Sequence, residues 1–394
     1  MIRMNRRLFV TAALTTAALT TAALPAQALA RPGALRLRLP APTGPHRVGT
    51  TDLHLVDRDR PDPWVDKPYR ELMITIRYPA AGSGPLAPHM RPGAARTFTG
   101  VAAEGTVAIP VRIPRGSVDW AATRTHSHAG AAPRGGMPVL LYSHGHLMSR
   151  DFGTVLAEEL ASHGYAVVTV DHTYDPTQVE FPDGRVEGNH QPDPESFETF
   201  KRELGIRAVD MRFVLDELES WRGVLDLDRI GIYGHSLGGA TAAQSMHDDP
   251  RILAGADLDG ALGTREDPWG SVTTEGLDRP FLLFTADPSD QNHELVSEFW
   301  SHLRGWRRAL QVISAAHNTF NDLAVIAPQL RAAGVIGDAD LEKLVGTSDV
   351  DDSPPDIAAV GAYLRSFFDL HLRGDDDGLL DGPSPQWPQV RFTG

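Results

Sequence analysis

The sequence predicts an α/β fold, a mostly parallel central sheet with helices on both faces. Three observations carry this. Short continuous apolar runs at 137–142, 165–170, 230–233, 252–258, 281–284 and 310–313 have the length and character of strands buried on both sides. Segments with helical periodicity, at 154–163, 197–221 and 294–307, separate them, and buried strand alternating with helix is the pattern of a parallel sheet. The third observation is local: at 225–244 (LDLDRIGIYGHSLGGATAAQ) a strand, a glycine-flanked turn and a small-residue helix follow one another without a linker.

The 394 residues are 41% hydrophobic and 22% charged, enough apolar material for a sizeable core and too much for a disordered chain. The formal charge is −14, and the first thirty residues contribute Arg3, Arg6 and Arg7 without an acid, so their removal makes the chain more acidic still. That balance argues against nucleic acid as a partner.

Residues 1–30 have the layout of an export signal. Residues 1–7 are basic, 8–24 are apolar and uncharged, and Ala28-Leu29-Ala30 supplies small residues before a cut, so a secreted mature chain is expected to begin near Arg31. Asn5-Arg6-Arg7-Leu8-Phe9-Val10 also resembles the twin-arginine signal, whose route carries folded proteins. The absence of cysteine fits folding before export and leaves no thiol for a lipid anchor. For a membrane span the apolar stretch is short and wrongly flanked.

Residues 31–50, rich in Pro, Ala and Arg, read as a loosely ordered lead-in, and 51–394 as a single domain. Alternation at 52–56 and 72–78 predicts antiparallel strands that open the sheet. From about 79 to 136 Pro, Gly and Ala dominate, which predicts an insertion with one short strand at 107–113. Within it, Thr125-His126-Ser127-His128 places two histidines at alternate positions. With no carboxylate or third histidine close by, a solvated loop is preferred to a metal site.

The run at 137–142 ends in Ser143-His144-Gly145-His146, where His144 is expected to brace the loop by hydrogen bonding rather than to hold an ion. Val155, Leu156, Leu160 and Ala161 share a helical face, and Gly164 closes that helix. The polar stretch 174–195, with four prolines and two glycines, is long for a connection and is expected to shape the mouth of a site. Leu204, Ala208, Met211, Leu215 and Leu218 then mark a long amphipathic helix.

At 234–238 the chain reads Gly-His-Ser-Leu-Gly. Between a buried strand and a helix this is a nucleophile elbow: the serine sits on a strained turn, and the glycines remove the Cβ atoms that would collide where strand and helix meet. Ser236 is the candidate nucleophile. The strand at 252–258 stops at Asp259-Gly260, that at 281–284 at Thr285-Ala286-Asp287, and that at 310–313 is followed by His317. An amphipathic pattern at 357–372 predicts a closing helix. Serine, acid and histidine after successive strands is the chain order of the α/β-hydrolases, with the acid either Asp259 or, after the next strand, Asp287 or Asp290. Asp287-Pro288 also suits a plain turn.

These residue types imply a mechanism. Neutral His317 takes the proton of Ser236, whose oxygen attacks an ester carbonyl, while the carboxylate holds the imidazole in the correct tautomer. The backbone N–H groups of Leu237 and His146 are the expected oxyanion donors, each worth roughly 2.7–4 kcal/mol. Water then releases the acyl group, and no metal or other cofactor is called for.

Residues 234–241 (GHSLGGAT), Tyr142-Ser143-His144-Gly145, Leu258-Asp259 and His317 with Phe320 resemble the secreted platelet-activating-factor acetylhydrolase family, a phospholipase-type branch of the α/β-hydrolases, over roughly residues 44–372. The resemblance implies Asp259 as the acid, with Asp287 the alternative, and a small-molecule or lipid ester substrate met at a membrane or lipid surface. His146 departs from the apolar residue that family tends to carry, and the insertion before Met137 departs as well; both bear on substrate preference. A cutinase or polyesterase-like lipase is the competing enzyme reading. A hydrolase fold serving only as a binding module is the non-enzymatic one, and the presence of both serine and histidine weighs against it.

Overall fold

The apolar runs of the sequence pair side by side in one sheet. The computed structural model describes residues 33–194, 196–286, 292–347 and 356–394, so the proposed leader lies outside the described residues. The strands are β1 (Val48–Asp57), β2 (Arg70–Pro79), β3 (Leu86–Pro88), β4 (Arg124–Ala129), β5 (Met137–Ser143), β6 (Ala166–Asp171), β7 (Val179–Glu180), β8 (Val186–Glu187), β9 (Leu225–His235), β10 (Ile252–Leu258), β11 (Phe281–Thr285), β12 (Arg307–Val312) and β13 (Val390–Phe392). The helices are α1 (Pro92–Glu104), α2 (Thr154–Ser162), α3 (Phe197–Leu218), α4 (Leu237–Asp248), α5 (Val272–Glu275), α6 (Asn292–Ser301), α7 (Leu323–Ala332), α8 (Asp338–Val345) and α9 (Asp356–Phe368).

Among the described residues the main sheet has the order β13-β12-β11-β10-β9-β5-β6-β2-β1-β4-β3, and β7 pairs only with β8. Strands β6, β5, β9, β10, β11 and β12 run parallel, while β1 and β2 enter antiparallel at one side and β13 closes the other. Because side chains alternate across a strand, each central strand feeds two cores. Val139, Leu141, Ile230 and Ile232 pack with α3, α4 and α6, whereas Leu140, Tyr142, Tyr233 and Ala256 pack with α2 and α9. Burial on both faces is why these strands read as unbroken apolar runs.

A third core forms where the 79–136 insertion meets α7 and α8. Phe98, Ile109, Ile113 and Trp120 of the insertion pack there with Leu323, Ile326, Leu330 and Leu344. The segment 107–113 forms no strand. Pro110 has no N–H for a ladder, and the segment turns on itself instead, with Thr106 N–H donating to Ile109 O (3.0 Å) and Ile113 N–H to Ala102 O (2.8 Å). The strands of the insertion are β3 and β4, and β4 carries His126 and His128, so that stretch is not a solvated loop. Their rings bond the carbonyls of Leu39 (3.0 Å) and Gly84 (2.7 Å).

The Pro-rich lead-in is likewise anchored. Leu37 and Leu39 are buried, Leu35 bridges Val118, and Arg38 exchanges two 2.9 Å hydrogen bonds with the Gln329 side chain. These partners lie far away in sequence, so composition alone hid them.

Candidate active site

Strand β9 delivers Ser236 to the tip of the sheet, and α4 starts at the next residue. Ser236 has φ 58° and ψ −127°, a conformation that a side chain adopts only under strain. A Cβ on Gly234 would collide with the Gly238 carbonyl, and one on Gly238 with the Ser143 carbonyl, so both glycines are required by close approach. The turn is held by Ser236 N–H donating to Leu258 O at 2.9 Å.

Two further turns bring partners to this point. After β12 the chain enters a short turn at His317–Phe320, and His317 Nε2 lies 2.9 Å from Ser236 Oγ. After β10, Asp259 takes φ 58° and places Oδ2 2.6 Å from His317 Nδ1. Its other oxygen accepts from Ala286 N–H at 2.9 Å, and its own N–H donates to Phe284 O at 2.8 Å, so both carboxylate oxygens are committed. Asp259 is buried, while the His317 side chain keeps 33% exposure. The sequence alternatives Asp287 and Asp290 lie outside the described residues.

His235, unremarked in the sequence, supports this chain of hydrogen bonds. Its Nε2 donates to His317 O at 2.8 Å, and the two rings lie tilted by 42° with centroids 4.7 Å apart. Burial, with His317 adjacent, lowers the His235 pKa to about 3, so the ring is neutral and its Nε2 carries the proton.

Leu237 follows Ser236 in the chain, and the loop residue His146 lines the same cavity as that serine. Leu237 opens α4, so its N–H has no intrahelical acceptor. Gly145 sits so close that a Cβ there would be 3.3 Å from Ser236 Cβ. His144 does brace this loop: Nδ1 bonds Gly145 O at 2.8 Å, and burial together with Arg207 and His172 drives its pKa well below the ordinary value.

A cavity of 440 Å³ opens over Ser236 and His317, with Phe197, Phe200 and Trp269 on one side and Val107 and Ala108 of the insertion on another. The described residues of 174–194 do not line it. A larger cavity of 710 Å³ between α2, α9 and the C-terminal segment contains none of these residues.

Comparison with known proteins matches the family model for platelet-activating factor acetylhydrolase, isoform II, at residues 105–180 and 201–346. The chain belongs to that family. It is 29% identical, over 90% of its length and 93% of the relative's, to a probable 1-alkyl-2-acetylglycerophosphocholine esterase of Arthroderma benhamiae. It is 23% identical, over 62% of each chain, to the platelet-activating factor acetylhydrolase of Cavia porcellus. Among solved structures, a ferulic acid esterase from Streptomyces cinnamoneus is 36% identical, with a TM-score of 0.76 over 91% of this chain and 100% of that one. The fold is that of an α/β-hydrolase, and the protein is a carboxylic ester hydrolase.

For this esterase, sequence reasoning passed over the aromatic wall and the polar residues behind the loop. Phe197 and Phe200 read in the sequence as ordinary positions of a helix, and Trp269 lies in an irregular stretch that no periodicity marks. Glu203, Arg207 and Asp210 carried a signal: at spacings of four and three they share the apolar stripe of α3, where charge is out of place unless it is paired.

Proposed function

We propose that this chain is an exported serine esterase in which Ser236, His317 and Asp259 hydrolyse short-chain or phospholipid acyl esters through an acyl-enzyme. The observation that carries the reading is the hydrogen-bonded series from Asp259 Oδ2 through His317 to Ser236 Oγ, set on the elbow at the floor of the cavity. In the proposed cycle Ser236 Oγ attacks the ester carbonyl as its proton passes to His317 Nε2. The imidazolium then returns that proton to the departing alcohol. Water, deprotonated by the same nitrogen, releases the acid and restores the serine. The N–H groups of Leu237 and His146 are proposed to receive the oxyanion.

The cavity volume lies in the range of small-ligand sites and suits one small acyl group, leaving any long alkyl chain outside. Val107 and Phe197 on its rim are 54% and 57% exposed, and they are the apolar groups that would meet an aggregated or lipid substrate. A second reading is favoured by the aromatic wall. Phe197, Phe200 and Trp269 have ring centroids 5.7–6.1 Å apart and offer flat faces to an aromatic acyl group, the kind of substrate that the Streptomyces cinnamoneus relative is named for.

A panel comparing a 2-acetyl phospholipid, nitrophenyl acetate, an aromatic methyl ester and a polyester film decides among substrates by kcat/KM. Film turnover above that of the soluble esters would favour the cutinase-like reading, and no turnover of any ester would remove the proposal. Export is tested by N-terminal sequencing of the protein from culture medium, expected to start near Arg31.

A further inference from the structure

We propose that Arg207 is the positioning residue that fixes the oxyanion-binding peptide, reaching from α3 to the loop at 143–146. The inference rests on the reading of Ser236 as nucleophile and of the His146 N–H as an oxyanion donor. A peptide is planar and trans, so its C=O and N–H point in opposite directions; whatever holds the Gly145 carbonyl also aims the His146 N–H. That carbonyl accepts from Met148 N–H at 3.1 Å, from His144 Nδ1 at 2.8 Å and from Arg207 Nη2 at 3.4 Å. The preceding carbonyl, of His144, accepts from Arg207 Nη1 at 2.5 Å.

The far side of the peptide is tied to the same guanidinium. His146 Nδ1 lies 2.8 Å from Glu203 Oε2, and Glu203 Oε1 accepts from Arg207 Nη2 at 2.5 Å. Asp175 Oδ2 accepts from Arg207 Nε at 2.7 Å and sets the plane of the fork. His146, Asp175 and Glu203 approach as a cation site would, but the guanidinium already bonds both carboxylates.

Arg207 is fully buried, and a buried ion pair contributes little net stability once desolvation is counted. What it does supply is direction. A guanidinium offers five donors in one rigid plane, whereas an ammonium offers three on a flexible stem and cannot serve these acceptors at once.

The test compares wild type with Arg207→Lys and Glu203→Gln, each checked for folding by thermal melt, using kcat and KM for nitrophenyl acetate and the affinity of a trifluoromethyl ketone, whose serine adduct carries the oxyanion. Expected for Arg207→Lys is a fall in kcat of about 10²–10³, the size of a lost oxyanion donor, with KM nearly unchanged and the ketone weakened in parallel. The acid limb of the pH profile should not move, because His317 and Asp259 are untouched. A folded Arg207→Lys that keeps kcat within about threefold, or loses it without weakening the ketone, overturns the proposal. If Arg207→Lys does not fold, Glu203→Gln decides: a kcat loss matched by weaker ketone binding supports it, and wild-type behaviour overturns it. Failure of the underlying reading would show separately, as ketone or fluorophosphonate attached to a residue other than Ser236 in the wild-type enzyme.

Discussion

Among the described residues, two serine–histidine–aspartate constellations have similar hydrogen-bond lengths. In Ser143–His172–Asp210 the Oγ to Nε2 and Nδ1 to Oδ2 distances are 3.1 and 3.0 Å; in Ser236–His317–Asp259 they are 2.9 and 2.6 Å. They differ in everything else. Ser143 ends a regular strand with all three members buried, whereas Ser236 sits at positive φ under a cavity, with His317 partly exposed. Burial alone would raise the Asp210 carboxyl, but Arg70, the His172 bond and Arg60 hold it far below the ordinary range, so its charge is already neutralised by two guanidinium groups. His172 is lowered by burial despite its aspartate. On the proposed reading of Ser236 as nucleophile, residue types and hydrogen-bond lengths are not what distinguishes it from Ser143; access and a strained turn are.

The two serines should differ most. Ser236→Ala is expected to reduce ester turnover by about 10⁶, as loss of a serine nucleophile does elsewhere, while Ser143→Ala should keep turnover at the wild-type order of magnitude. Mass spectrometry of the fluorophosphonate adduct should find it on Ser236; label on Ser143 would dissolve the distinction.

The aspartates sharpen it. Asp259→Asn should cost about 10⁴ in turnover with little change in melting temperature. Asp210→Asn should do the reverse, leaving turnover near wild type while urea unfolding shows a loss of about 3–5 kcal/mol, because Arg70 loses a buried partner. A kinetic defect without a stability defect in Asp210→Asn would bring the buried constellation into the mechanism.

Where the two constellations touch, Gly238 leaves no room between the start of α4 and the Ser143 carbonyl. Gly238→Ala should force them apart and lower stability by about 3 kcal/mol or more, read as a shifted thermal melt. A variant melting like wild type would mean that the backbone yields at this contact without cost.

The smallest effect concerns His235, neutral in the folded protein with its pKa lowered to about 3. Between about pH 3 and its ordinary value near 6.5, the unfolded chain takes up a proton that the folded one refuses, so its contribution to stability declines as pH falls through that window. The destabilisation caused by His235→Asn should therefore be greatest above pH 6.5 and shrink toward pH 4 by at most about 1.4 kcal/mol per pH unit. Melting curves at several pH values check this; a difference independent of pH would show that the ring titrates alike in the folded and unfolded chain.

The central strands and the helices beside them were legible because burial on both faces leaves a continuous apolar run, and the positions of Ser236, Asp259 and His317 were legible because each follows such a run. Less was visible at the edges. The expected strand at 107–113 competes with Pro110 and loses, and the Pro-rich stretch before β1 finds its partners on Val118 and Gln329, far along the chain. The cavity wall is similar: nothing in the pattern of α3 or of the stretch holding Trp269 announces that they meet.

By itself the sequence determined the parallel α/β sheet and the strand–turn–helix that strains Ser236, because both follow from local periodicity and from glycine where a Cβ cannot fit. Which serine has a cavity above it, which histidine keeps an exposed face, and where the Arg207 guanidinium aims a peptide were decided only in the tertiary structure. Those properties depend on desolvation and on hydrogen bonds between residues tens to hundreds of positions apart, and no local pattern encodes how far such residues lie from water or from one another.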